Sequence, residues 1–100
     1  MKTRFQEENN DYVMYFEGRL DTAASPVVEK ELQPLHECEG HDIILDCTKL
    51  EYISSSGLRL FLGVLKNAKA KGSKVFIKGI NDDIRNVFAM TGFINLFLFK

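Results

Sequence analysis

Three consecutive hydroxyls, Ser54-Ser55-Ser56, stand directly before Gly57 and an apolar segment with helical spacing. Side chains of this type at this place have two chemical uses. The first is capping: serine is favoured at a helix N-cap, where its oxygen accepts from a backbone N–H that has no partner within the helix. The second is carrying phosphate. The opening N–H groups of a helix are unpaired, and the macrodipole places about half a positive charge there. A phosphate on one of these serines is therefore stabilised by the helix end, without a lysine or arginine clamp. The residues alone leave both uses open.

Two other chemistries can be weighed against these. Nucleophilic catalysis by a serine needs a base oriented by an acid, and in hydrolases a sharp Gly-x-Ser-x-Gly turn. The chain lacks that turn, and its two histidines, His36 and His41, both fall between the first helix and the strand after it. No enzymatic activity is expected. His36, Cys38, His41 and Cys47 suggest zinc, but His-x-Cys-x-x-His with a distant cysteine matches no standard finger spacing, so no metal is expected. Cys38 and Cys47 make no disulfide framework for a chain of this size. Cys47 beside an apolar run reads as a small core residue. Nothing in the sequence marks a nucleotide pocket or another cofactor site.

Composition narrows the class further. A length of 100 residues suits one domain with a two-layer core, read here as residues 1–100. Hydrophobic residues at 45% and charged residues at 27% match a soluble globular protein rather than a disordered one. A net charge of −1 argues against a nucleic-acid binder, since Lys66, Lys69, Lys71, Lys74 and Lys78 read as the solvated end of a helix and the strand after it. No apolar run approaches the ~20 residues needed to span a bilayer, and no signal-peptide core follows Met1. No membrane insertion is expected, and the cytoplasm is the expected compartment.

The elements that must position the serines follow from periodicity. Tyr12–Gly18 is aromatic and β-branched and predicts a strand ending at glycine. Thr3–Glu8 is a weaker strand that could pair with it through Asn9-Asn10-Asp11. A loop, Arg19–Ala24, leads to Ser25-Pro26, an N-cap followed by proline at the first helical position. That helix is expected to reach about Cys38, with Val28, Leu32 and Leu35 on one face. Asp42–Asp46 predicts a short strand covered on both faces, then a loop. The second helix should run from about Ser56 to Ala70, with Leu58, Phe61, Leu62, Leu65 and Ala68 toward the core and Gly72 stopping it. Val75–Ile77 is a buried strand. Asn81 caps a third helix carrying Ile84, Val87 and Phe88 and ending at Gly92. Phe93–Phe99 supplies a final apolar segment, an edge-strand candidate. Strands alternating with helices predict an α/β fold with a partly parallel sheet and right-handed crossovers.

The run from Asp46 through Leu50, Ile53, Ser54, Ser55, Gly57 and Leu58 resembles the signature of STAS domains, the fold shared by anti-sigma factor antagonists and the cytoplasmic tails of sulphate transporters. Gly18-Arg19-Leu20-Asp21 resembles a second family feature, and Gly72 and Met90-Thr91-Gly92-Phe93 fit later elements. The resemblance covers essentially the whole chain. It implies a two-layer α/β fold, a central mixed sheet of four to five strands with helices packed mainly on one side. It also implies a partner switch. In the family, a serine at the position of Ser55 is phosphorylated by a serine kinase that doubles as the anti-sigma factor. The unphosphorylated form binds that kinase and frees a sigma factor; phosphate breaks the complex, and a separate serine phosphatase restores it. Ser54 stands where many antagonists have aspartate, so Ser54 and Ser56 remain alternative acceptors.

Other residues take their readings from that frame. Asp21 and Thr22, with Ser54, Ser56 and Gly57, would support the phosphate site; Asp21 either hydrogen-bonds near Ser55 or caps its own loop. Leu60, Gly63, Val64 and Asn67 lie opposite the core stripe of the second helix and would dock a partner, or be partly covered by a neighbouring loop. Arg59, grouped with these partner-binding residues, would stand near the phosphate or lie solvated. Many relatives continue past the position of Lys100 into a last helix, which would leave the third-helix surface more exposed here. Two alternative roles for the same fold carry no phosphorylation: an accessory subunit of an ABC-type membrane transport complex, and a stress-signalling scaffold.

Overall fold

The computed structural model describes residues 1–100 and places a five-stranded sheet against three helices. β1 (Lys2–Glu8) and β2 (Asp11–Leu20) form an antiparallel hairpin. Helix α1 (Ser25–Glu31) and a 3₁₀ turn (Gln33–His36) lead to β3 (Ile43–Ile53). α2 (Ser55–Ala70) leads to β4 (Val75–Lys78), and α3 (Asp82–Thr91) to the short β5 (Leu98–Phe99). The sheet order is β1-β2-β3-β4-β5, with β2 to β5 parallel. The fold is therefore α/β with a mixed sheet, as the resemblance implies.

The side-chain alternation of strands sorts the sheet into two faces. Met14, Leu45, Ile77 and Phe99 form one cross-sheet row, and all four join the core that the helices complete. The neighbouring row, Val13, Ile44, Phe76 and Leu98, points to the face without helices, where Leu98 is exposed. Sequential crossovers of one hand put α1, α2 and α3 on the same side.

Five expectations about the elements need correction. α1 ends at Glu31 rather than near Cys38, because Pro34 has no N–H to donate and disfavours helical backbone in the residue before it. The chain continues as a tighter 3₁₀ turn that still buries Leu35. Ser25 is not the cap of α1: Ala24 holds that position with no side-chain bond, and the Ser25 hydroxyl donates to the Asp21 carbonyl at 2.9 Å. β2 runs past Gly18 to Leu20, and β3 runs to Ile53 where a loop was expected. Two register shifts between β2 and β3, near Tyr15–Glu17 and Gly18–Arg19, break the period of two, so Leu50 and Ile53 are both buried three residues apart. Finally, Val64 is buried while Leu62 is only half-buried. α2 is covered on a second side by α1 and the 3₁₀ turn, which widens its apolar stripe toward Val64.

The third helix needs no correction. Asn81 Oδ1 accepts from the Ile84 N–H at 2.8 Å, and Gly92 closes the helix with φ 79°.

Candidate functional site

β3 delivers the chain to the opening of α2. Ser54, the last residue before the helix, has extended backbone with φ −88° and ψ 171°, and its Oγ accepts from the Gly57 N–H at 3.2 Å. The Ser54 N–H donates to the carbonyl of Leu20 at the end of β2, at 2.9 Å. Ser54 is thus a buried N-cap, held by both neighbouring strands. Its replacement by alanine is expected to lower stability by about 1 kcal/mol, read from urea melts. An unchanged midpoint would show that the Gly57 N–H finds another acceptor.

The three hydroxyls sit in different environments. Ser54 is buried, Ser56 is half-buried, and Ser55 is exposed as the first residue of α2. Gly57 is buried because the chain passes too close to β2 and β3 for a side chain. A Cβ there would lie 2.7 Å from Leu20 Cγ and 2.9 Å from Ile53 Cγ1. The first turn of α2 carries no acidic residue, so nothing on the helix repels an added anion. Arg59 is exposed and lies one turn beyond Ser55, on the same helix face.

The Asp21 loop is adjacent, since Leu20 bonds to Ser54. Its carboxylate is occupied locally: Asp21 Oδ1 accepts from the Ala24 N–H at 2.9 Å. That bond caps Asp21's own loop, and Thr22 beside it is exposed.

Arg59, Leu60, Gly63, Val64 and Asn67 come together, but on a groove rather than on a free helix face. They line a cavity of about 360 Å³ between α2 and the α1–3₁₀ segment, with Glu29, Gln33 and His36 opposite. Val64 forms its buried floor, and Asn67 Nδ2 donates to the His36 carbonyl at 3.2 Å. The exposed parts of this group are Arg59 and Gly63.

His41 and Cys47 lie in different surroundings. The His41 ring stacks on Tyr12 with centroids 4.1 Å apart, and its Nδ1 lies 2.8 Å from the Asn10 carbonyl. Cys47 is in the core of β3, and burial pushes its thiol well above the ordinary range, Asp46 adding to the effect. The unfolded chain releases the thiol proton above about pH 8.5 while the folded chain keeps it, so stability should fall with rising pH by up to about 1.4 kcal/mol per unit. Urea melts at pH 8 and pH 10 should show this slope in the native chain and a shallower one in Cys47→Ala. Equal slopes would mean that Cys47 does not contribute.

Sequence reasoning missed a larger concavity of about 590 Å³ on the helix-free face, where Lys2, Arg4, Tyr15, Glu17, Asp46 and Lys49 converge. Only the β1–β2–β3 register brings these residues together, and no local motif announces it.

This combination, a mixed sheet with one helical layer and a serine-capped helix opening at the end of a central strand, defines the class. The sequence matches the STAS domain family over residues 2–100, and the chain belongs to that family. It is 33% identical over 79 residues to an anti-sigma-B factor antagonist of Staphylococcus aureus, spanning 79% of this chain and 73% of that one. Its fold superposes on an anti-sigma-factor antagonist (STAS) domain protein from Planctomyces limnophilus with a TM-score of 0.89 at 16% identity, over 98% of this chain and 87% of that one. It also matches the Bacillus cell fate determinant SpoIIAA in the phosphorylated form, with a TM-score of 0.73 at 19% identity, over 99% and 91% of the two chains.

Proposed function

We propose that this chain is an anti-sigma factor antagonist working as a phosphorylation-controlled partner switch, with Ser55 as the acceptor. Unphosphorylated, it binds an anti-sigma factor that is also a serine kinase and so frees a sigma factor. Phosphate on Ser55 breaks that complex, and a serine phosphatase restores it. The observation that carries the reading is the division of labour among the serines: Ser54 is buried as the cap, while Ser55 presents its hydroxyl on the surface at the helix opening. The names of the sequence relatives support the antagonist role.

The chemistry is consistent with a binding module rather than a catalyst. Transfer of a phosphoryl group to Ser55 Oγ places roughly −1.5 to −2 charges beside the unpaired first-turn N–H groups. The domain tolerates the group because the helix end offsets it by ~0.3–1 kcal/mol. A desolvated interface over Ser55 does not, since stranding or opposing charge there costs several kcal/mol.

The test is phosphopeptide mapping of the protein from its native host, with Ser55→Ala alongside. One phosphate on Ser55, absent from the variant, is the expected result. Phosphate on Ser54 or Ser56 would keep the mechanism and move the site. No phosphate under any growth condition would favour the transport-subunit or scaffold role.

A further inference from the structure

The sheet has two edges of very different character. β5 offers two residues, whereas β1 offers seven without glycine, proline or bulge. We infer that β1 is a self-pairing edge: two copies of the chain join antiparallel along Lys2–Glu8, with Phe5 on the two-fold axis, and make one continuous sheet.

The backbone sets the register. Asn9 and Asn10 link β1 to β2 with φ of 51° and 69°, the left-handed pair of a two-residue type I′ turn. The residues flanking such a turn exchange both hydrogen bonds, and the pattern alternates from there. Lys2, Arg4, Gln6 and Glu8 thus bond to β2, and Thr3, Phe5 and Glu7 direct their N–H and C=O groups outward. Centring the pair on Phe5 sets Thr3 against Glu7 of the second copy and Phe5 against Phe5, using every outward group in about six hydrogen bonds. Centring on Arg4 would set Arg4 against itself. Centring on Gln6 would leave Thr3 unpaired.

Charge selects the same register. Along KTRFQEE the first half is basic and the second acidic. In the Phe5-centred pair Lys2 faces Glu8 of the second copy twice over, Arg4 faces Gln6, and no like charges are opposed. A parallel in-register pairing would set every charge against its own kind. Arg4 and Glu8 are already held on the helix-free face. The Arg4 guanidinium lies 4.4 Å from the centre of the Tyr15 ring, and the Tyr15 hydroxyl donates to Glu8 Oε2. Phe5, 39% exposed, is the one large apolar side chain on the strand and falls at the centre of the contact. Charged edges ordinarily discourage sheet-to-sheet contact; the charges of this one are complementary to those of its own antiparallel copy.

Sedimentation equilibrium on the full chain tests the inference. The native chain should dimerise, less tightly at high salt. Lys2→Glu and Glu8→Lys should each weaken the dimer by about tenfold or more, because each turns two attractions into repulsions. The double variant should recover it, which a folding defect in either single variant would not allow. Phe5→Cys should cross-link to itself on mild oxidation, since opposed hydrogen-bonded residues lie about 5.5 Å apart at Cα, within disulfide reach. Thr3→Cys should not. A monomer at millimolar concentration, or a double variant no tighter than the singles, would overturn the pairing. So would a chain that stays monomeric and pairs β1 only with an extended segment of another protein.

Discussion

Phe61→Ala is expected to lower the stability of the domain by about 3–5 kcal/mol. Phe61 is fully buried at the middle of α2, and its ring joins three elements. It lies 5.2 Å from the Phe16 ring on β2 and 6.5 Å from the Phe88 ring on α3, and Phe88 in turn contacts Phe97 and Phe99. Truncation removes the hydrophobic transfer energy of the ring and leaves a cavity that the sheet and α3 cannot both close. Small domains have only about 5–15 kcal/mol of net stability, so this one substitution can remove half of it. The melting temperature should fall by more than about 10 °C, with the urea midpoint moving in parallel. Phe61→Leu, which keeps most of the volume, should cost clearly less. A loss under about 1 kcal/mol for the alanine variant would mean that the aromatic cluster is not the centre of the core.

Phosphorylation of Ser55, or Ser55→Asp as a partial mimic, is expected to lower affinity for the anti-sigma partner by at least about 100-fold, or ~2.8 kcal/mol. The same change should leave the fold within ~1 kcal/mol of the native chain, because an anion at the start of α2 meets unpaired N–H groups and no first-turn acid. The contrast between the two readouts is the signature of a switch. A surface charge that merely destabilised the domain would move melting and binding together. Ser55→Ala should bind like the unphosphorylated protein and no longer respond to the kinase. Titration calorimetry with the purified partner, beside thermal melts of each variant, decides the matter. Equal affinity for Ser55→Asp and the native chain would remove Ser55 from the interface. Ser54→Ala provides the complement, since it should lower stability and spare the switch.

What is written locally in the chain was legible without coordinates. Asn81 and Gly92 bound α3 because a side-chain acceptor and a left-handed glycine act within one turn of their own backbone. The run of serines before an amphipathic segment marked the opening of α2 for the same reason. Strand kernels such as Val75–Ile77 show themselves through composition, and the resemblance of Asp46–Leu58 to a family signature extended these pieces to a whole fold. Pro34 also carried its message locally, and the expectation of a helix to Cys38 overrode it.

The remainder belonged to tertiary structure. β3 reaches Ile53 because its second half pairs with β2 through two register shifts, and a shifted ladder leaves no regular period to read. Val64 is buried because the α1–3₁₀ segment lies over α2, a contact between residues far apart in the chain. The same holds for the serines. Three adjacent hydroxyls are equivalent in sequence, and only the bond from Ser54 to Leu20 at the end of β2 turns one inward as a cap and leaves its neighbour on the surface. Short-range hydrogen bonding and periodicity therefore set which elements form and where helices start and stop. Long-range pairing and packing set how far strands run, which helix faces are covered and which serine meets the solvent.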